Sequence, residues 1–245
     1  MTYLVAAVVK NDLAAIRQAA PEVWRGVRRY NLPVQLALAA AEEAIQSATD
    51  AARVAVVSLA PCCPGSADLY RWGHVVTSGM SHGNLGDTRM NPTQTLHAVD
   101  NLAMSAFAIR HANHAYCLGL GGAAGQAWAA LEAVQERLAA GQEAEALLMA
   151  GDQERAEEGA QGLGLALLFS SSPGPDGFDG RRVRLVGVER ERRPHSGAAR
   201  PHAAEGLCGL LSALAAHDQG RLVYQVPPEH SDGVDAVRVT LEVWR

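Results

Sequence analysis

The sequence predicts an α/β fold in which helices cover a mixed β-sheet. Three observations support this prediction. Apolar runs of strand length alternate with stretches whose apolar residues recur at helical spacing. Hydrophobic residues make up 48% of the chain and charged residues 19%, which is typical of a globular protein with a buried core. The 245 residues are enough for one large domain or two small ones.

Strands and helices alternate through the first part of the chain. The apolar run at 2–9 is too short for a core helix and predicts a buried strand. Residues 32–49 have helical spacing, with Pro33 suited to the first turn, and the β-branched run at 52–60 predicts a second strand. The next predicted elements are a helix, a strand, a helix and a strand, at 96–111, 114–120, 123–140 and 145–151.

The pattern changes after Asp152. The polar segment QERAEEGAQ predicts a turn, and the segment 172–180 carries Pro and Gly at turn positions and predicts a loop. No short-period repeat is visible. The remaining predicted elements are a buried strand, an arginine-flanked strand, a short helix and two terminal strands, at 162–172, 181–193, 202–216, 221–226 and 235–244.

Charge and cysteine usage exclude several classes of protein. The formal net charge of −5 gives no reason to expect nucleic-acid binding. No stretch approaches the roughly 20 apolar residues that span a bilayer, and the first apolar run has no basic residues before it, so it predicts a strand rather than a signal peptide. The cysteines have no metal-ligand spacing, which favours reduced thiols in a cytoplasmic protein without a metal site; they are Cys62, Cys63, Cys117 and Cys208.

The stretch AYCLGLGGAAGQAW, residues 115–128, suggests two kinds of chemistry. Gly119, Gly121 and Ala124 satisfy the G-x-G-x-x-G/A pattern of a dinucleotide site between a strand and a helix. The motif lies in mid-chain, however, and Asp152 follows it by about 30 residues instead of about 20. An NAD(P)-binding protein therefore stays a weaker hypothesis.

Cys117 is the second candidate in this stretch, as a nucleophile. It lies in an apolar strand, several residues before the next helix, so the helix dipole does not activate it. His111 and His114 are close only in sequence. We therefore predict a buried structural cysteine. A stand-alone acyltransferase or hydrolase that uses Cys117 or Cys63 is the alternative.

The segment from Asn101 to Asp152 resembles the central part of a β-ketoacyl synthase. These enzymes share an Asn-led helix, a strand, a strand-to-helix elbow with the active cysteine, and a long helix that ends in Gly. ARVAVVSLAPCCPGS resembles an early strand and loop of the family, and EEGAQGLGLALLFSSS resembles a strand entered through a glycine-rich motif, so the likeness covers about residues 1–190. It implies a thiolase-like layered α/β fold with a mixed sheet.

The resemblance also identifies what this chain lacks. The position of the catalytic cysteine falls on Ala124 or a neighbour, within Gly122, Ala123, Ala124 and Gly125, so the elbow is degenerate and no catalytic residue is assigned. The second half, which supplies two histidines in the family, is truncated, and His195 and His202 lack the family motif. The resemblance therefore implies one ketosynthase-like domain over 1–245, with a first half at 1–172, a shortened second part at 181–245 and no cofactor.

In this family, catalytically inactive ketosynthase-like chains form heterodimers with an active ketosynthase and shape its acyl tunnel. The resemblance therefore implies a chain-length-factor-like subunit, as in aryl-polyene, polyketide or fatty-acid-type biosynthesis, with an active ketosynthase and an acyl carrier protein as partners. The residues implied for the tunnel or interface are Asn101, Met104, Phe107, Cys117, Gly121 and Gln126. Met104 and Phe107 fit a plain core equally well.

A dense arginine cluster could contact an acidic carrier protein or partner. It contains Arg182, Arg184, Arg190, Arg192 and Arg193. The alternative interpretation is a solvated strand edge protected by charge.

Overall fold

A computed structural model describes residues 1–14, 16, 30–60, 102–121, 124–156, 159–174, 177–192, 203–226 and 235–245. The strands in these ranges are β1 (Thr2–Lys10), β2 (Ala55–Leu59), β3 (Cys117–Leu120), β4 (Glu145–Ala156), β5 (Gly159–Ser170), β6 (Arg182–Arg192), β7 (Gly220–Val226) and β8 (Asp235–Trp244). The helices are α1 (Leu32–Ala44), α2 (Leu102–Arg110), α3 (Ala124–Ala139) and α4 (Ala203–Ala215), with short 3₁₀ turns at Ile45–Ser47 and Ala51–Arg53.

The strands form one eight-stranded mixed sheet with the order β3-β2-β4-β5-β1-β6-β8-β7. Strand β2 pairs in parallel with β3 and β4, and the other pairs are antiparallel. Helices α3 and α4 pack on one face and α1 and α2 on the other, each over its own cluster of buried apolar residues. The predicted α/β fold with a mixed sheet is confirmed.

Two predicted boundaries differ from the structure. The segment QERAEEGAQ is not a polar turn, because β4 and β5 stay paired as far as Ala156 and Gly159 and leave two residues for the connection. A two-residue connection is enough to join antiparallel strands, and for this reason polarity alone mispredicts the length of the turn. The strand predicted at 114–120 begins only at Cys117, because the Asn113 amide donates to the carbonyls of Ala51 and Val54 and holds a turn there.

Helix α1 lies unusually close to the sheet. Its N-cap is Asn31, whose side chain accepts a hydrogen bond from the Val34 N–H. Gly151 and Gly164 pair across β4 and β5 beneath it. A Cβ on Gly164 would lie 2.2 Å from the carbonyl carbon of Leu36, and one on Gly151 would lie 2.2 Å from the Pro33 carbonyl oxygen. Only glycine permits this approach of helix to sheet.

The sheet contains one structural unit twice. Helix α3 precedes the β4–β5 hairpin, which pairs with β1, and α4 precedes the β7–β8 hairpin, which pairs with β6. Strands β1 and β6 join the two units through antiparallel pairing of Thr2–Leu4 with 183–185. The helices match in their buried positions as well: Ala127, Leu131, Val134 and Leu138 correspond to Ala203, Leu207, Leu210 and Leu214.

The second unit is the shorter of the two. Residues 11–123 separate β1 from α3 and include β2, β3, α1 and α2, whereas only residues 193–202 separate β6 from α4. The difference in length between the two units therefore lies between the first strand and the central helix of each; the domain bounds at 1–172 and 181–245 stay a prediction.

Candidate functional site

The candidate site lies at the carboxyl end of the parallel strands β3, β2 and β4, where α3 and α4 begin. Strand β3 ends at Leu120, β2 at Leu59, and the parallel part of β4 leads to Asp152. A Cβ on Gly206 of α4 would lie 3.5 Å from the Trp128 ring of α3, so the first turns of the two helices are adjacent. Crevices at the carboxyl ends of parallel strands are common ligand sites in α/β proteins.

The predicted elbow is at this place, between β3 and α3. Gly121 follows β3 directly, and a Cβ on it would meet the Gln126 side chain at 3.6 Å, an ordinary contact. Gln126 is exposed on the first turn of α3. Gly122 and Ala123 lie outside the described residues, and only the backbone of Ala124 and Gly125 is described. The role of these residues therefore stays a prediction.

Asp152 has a structural role at this edge that the sequence analysis did not predict. It is 4% exposed, and its Oδ2 accepts hydrogen bonds from the N–H groups of Ala204 at 2.7 Å and Glu205 at 3.2 Å. These donors belong to the first turn of α4, so Asp152 caps a helix about 50 residues away in sequence. This use of the carboxylate gives no support to the dinucleotide hypothesis, in which it would bind a ribose.

Two cysteines lie in the described part of the chain, and neither thiol is activated. Burial, with the charges of Asp152 and Glu205, raises the pKa of Cys208 to about 11. The prediction that Cys117 is a buried structural cysteine is wrong: it is exposed, because β3 is at the edge of the described sheet and pairs only with β2 among the described strands. Partial desolvation still raises the pKa of the Cys117 thiol. Cys62 and Cys63 lie outside the described residues.

The raised pKa of Cys208 predicts a loss of stability in alkali. The thiol ionises near its ordinary pKa of 9.0 when unfolded and near 11 when folded, so the folded state favours the neutral form. This contribution is complete below pH 9.0 and is lost as the pH rises through the folded value of about 11. Denaturant titrations at a series of pH values from 9.0 to about 11 should show that the free energy of unfolding falls more steeply with pH in the wild-type chain than in Cys208→Ala. Cys117→Ala, the control, should keep most of the wild-type slope; equal slopes for wild type and Cys208→Ala would contradict the assignment.

The described histidines lie away from the elbow. The Nε2 of His111 contacts a Glu42 oxygen at 3.1 Å, and His114 borders a groove at the amino ends of β2 and β4. His217 follows the last turn of α4. His195 and His202 are outside the described residues. The described part of the chain therefore brings no histidine to the site.

Met104 and Phe107, the predicted tunnel residues, are both buried. They lie on α2 in the cluster that α1 also covers, and Phe107 packs on the His111 ring with 4.4 Å between centroids. Within a single chain both are core residues. Asn101 lies outside the described residues.

The arginines of β6 are partly neutralised within the chain. Arg184 forms an ion pair with Glu242, and Arg190 binds Glu132 of α3 at 2.9 Å. Arg182 is exposed. At Arg184 the alternative of a solvated strand edge is wrong, because β6 pairs there with both β1 and β8. At Arg190 it stays open, because among the described strands this part of β6 pairs only with β8. The Arg192 side chain and Arg193 lie outside the described part.

A polar groove of about 640 Å³ lies at the opposite edge, among residues 49–53, 114–115 and 142–145. The carboxylates on its walls are bonded within the chain: Glu143 to Arg137 and Glu145 to Thr49. Within the described ranges, no cluster of His, Cys, Asp or Glu has the geometry of a metal site. No described helix is long and apolar enough to cross a bilayer.

Comparison with known proteins supports the fold through structure alone. No model of a known protein family matches the sequence, and no curated protein matches it. A chain of the complex between the ketosynthase ApeO and its chain length factor ApeC, from Xenorhabdus doucetiae, aligns with a TM-score of 0.60 and 11% identity over 99% of each chain.

Two further solved structures are similar. The ishigamide ketosynthase/chain length factor aligns with a TM-score of 0.55 and 15% identity, over 89% of this chain and 74% of that one. FabH, the 3-oxoacyl-(acyl carrier protein) synthase III of Pseudomonas aeruginosa PAO1, aligns with a TM-score of 0.51 and 13% identity over 98% of each chain. The chain therefore has a thiolase-like, ketosynthase-like fold.

Proposed function

We propose that this chain is a non-catalytic, chain-length-factor-like subunit that pairs with an active β-ketoacyl synthase and helps to shape the acyl tunnel. The observation that carries the proposal is the elbow. In a ketosynthase-like fold, the segment from Gly119 to Trp128 contains no cysteine. Without a thiol at this helix start the chain cannot take up the acyl group covalently there. In this proposal residues 1–245 form one domain, and the product belongs to polyene, polyketide or fatty-acid-type biosynthesis.

The outer edge of β3 supports a strand-to-strand contact with the partner. Val56 donates to the Tyr116 carbonyl at 2.8 Å and Ala60 donates to the Leu120 carbonyl at 2.7 Å. Because backbone groups alternate in direction along a strand, those of Cys117 and Gly119 point away from β2. No other described strand pairs with this side of β3. An edge with free donors and acceptors is a template for a strand of another chain.

The stand-alone acyltransferase or hydrolase has less support. A nucleophilic cysteine needs a lowered pKa, whereas the pKa values of Cys117 and Cys208 are raised. Two similar structures are named for a ketosynthase together with a chain length factor. These names support a search for the partner among ketosynthases whose genes lie beside the gene for this chain.

Co-expression with such a ketosynthase tests the proposal. We expect a heterodimer in size-exclusion chromatography with light scattering, and condensing activity that needs both chains. Gly119→Pro removes an outward N–H while leaving the bonds between β2 and β3 intact, so it should abolish pairing in a chain that still folds. Gly119→Ala keeps the N–H and is the matched control, which should pair.

Two outcomes contradict the proposal. The first is a monodisperse monomer beside a ketosynthase that is fully active alone. The second is condensing activity of the isolated chain. If Gly119→Pro and Gly119→Ala both pair normally, the partner role stands but the contact through β3 is wrong. Circular dichroism of each variant alone verifies that the fold is retained.

We also propose that Met104 and Phe107 border the acyl tunnel from the core of this subunit. Met104→Leu changes side-chain shape at nearly constant volume, so it should cost less than about 1.5 kcal/mol in stability. In a reconstituted heterodimer, the expected result is a changed distribution of product lengths by mass spectrometry. An identical distribution with an intact heterodimer would assign Met104 to the core alone.

The arginine cluster remains a proposed contact for an acyl carrier protein or the partner. Arg184 and Arg190 already have carboxylate partners, so exposed Arg182 is the best described candidate for an intermolecular ion pair. Gly121, Gln126 and Cys117 belong to the proposed interface, because they lie on or directly after β3 and on the first turn of α3.

A further inference from the structure

We draw no further inference here: the strongest candidate, the polar groove at the amino ends of β2 and β4, sets the Arg53 guanidinium against carboxylates already bonded within the chain, and nothing in the structure shows what ligand it would hold.

Discussion

Gly164→Ala should destabilise the chain by about 3 kcal/mol, near the upper end of what overpacking costs. The new methyl carbon would lie 2.2 Å from the Leu36 carbonyl carbon and 2.6 Å from the Ala37 nitrogen. Both atoms belong to the backbone of α1, so a side-chain rotation cannot relieve the clash. Helix α1 would have to move away from β4 and β5, which would open the cluster it covers. Chemical denaturation followed by circular dichroism measures the loss.

Gly187→Ala is the matched control for this variant. Gly187 also lies inside a strand, β6, and a Cβ on it would meet nothing within 4 Å. Its expected change in the free energy of unfolding is within about 0.5 kcal/mol. If Gly164→Ala were as stable as Gly187→Ala, the close packing of α1 on the sheet would be wrong.

Asp152→Ala should lower the free energy of unfolding by about 2 kcal/mol, since it removes a helix cap and leaves one buried and one partly buried N–H group without their acceptor. The groups are those of Ala204 and Glu205 in the first turn of α4. The carboxylate also raises the pKa of Cys208, so its removal should lower that pKa from about 11. Chemical denaturation measures the loss of stability. The pH dependence of alkylation at Cys208, followed by mass spectrometry of the peptide that contains it, measures the change in its pKa.

Asp152→Asn separates hydrogen bonding from charge. Asparagine caps helices about as well as aspartate, so most of the stability should return. The negative charge is lost, so the pKa of Cys208 should fall in this variant as it does in Asp152→Ala. Equal destabilisation by Asn and Ala, or an unchanged Cys208 pKa in both, would show that Asp152 does not act as described.

Local patterns predicted the elements well, because each depends on neighbouring residues. The apolar run at 2–9 is β1, and the helical spacing after Pro33 is α1. Besides the two displaced boundaries, the error concerns position in the sheet. The run CLGL looks like an inner strand in sequence, yet it forms the edge, and Cys117 is exposed for this reason. Strand order depends on contacts between distant residues, which hydrophobic periodicity does not encode.

The candidate site also has one feature that the sequence predicts and one that it does not. The lack of a cysteine at the elbow can be read directly from residues 119–128. The cap that Asp152 provides cannot, because Ala204 meets it only after the two halves of the chain assemble. The available signal was an acidic residue at a strand end, and in the sequence its spacing from the glycines served only to weaken the dinucleotide hypothesis. Likewise, the buried positions of α3 and α4 do not reveal the duplication, because Ala and Leu at helical spacing are common to amphipathic helices in general.

The duplication has a consequence for the surface at the carboxyl edge of the sheet. Each copy contributes one central helix, and the first turns of α3 and α4 are neighbours at the carboxyl edge of the sheet. The elements missing from the second copy belong between its first strand and that helix, not to the helix itself. The two units thus differ before their central helices, while the helices themselves are present in both. The part of the surface that the two helix starts form therefore does not depend on the elements that only the first unit contains.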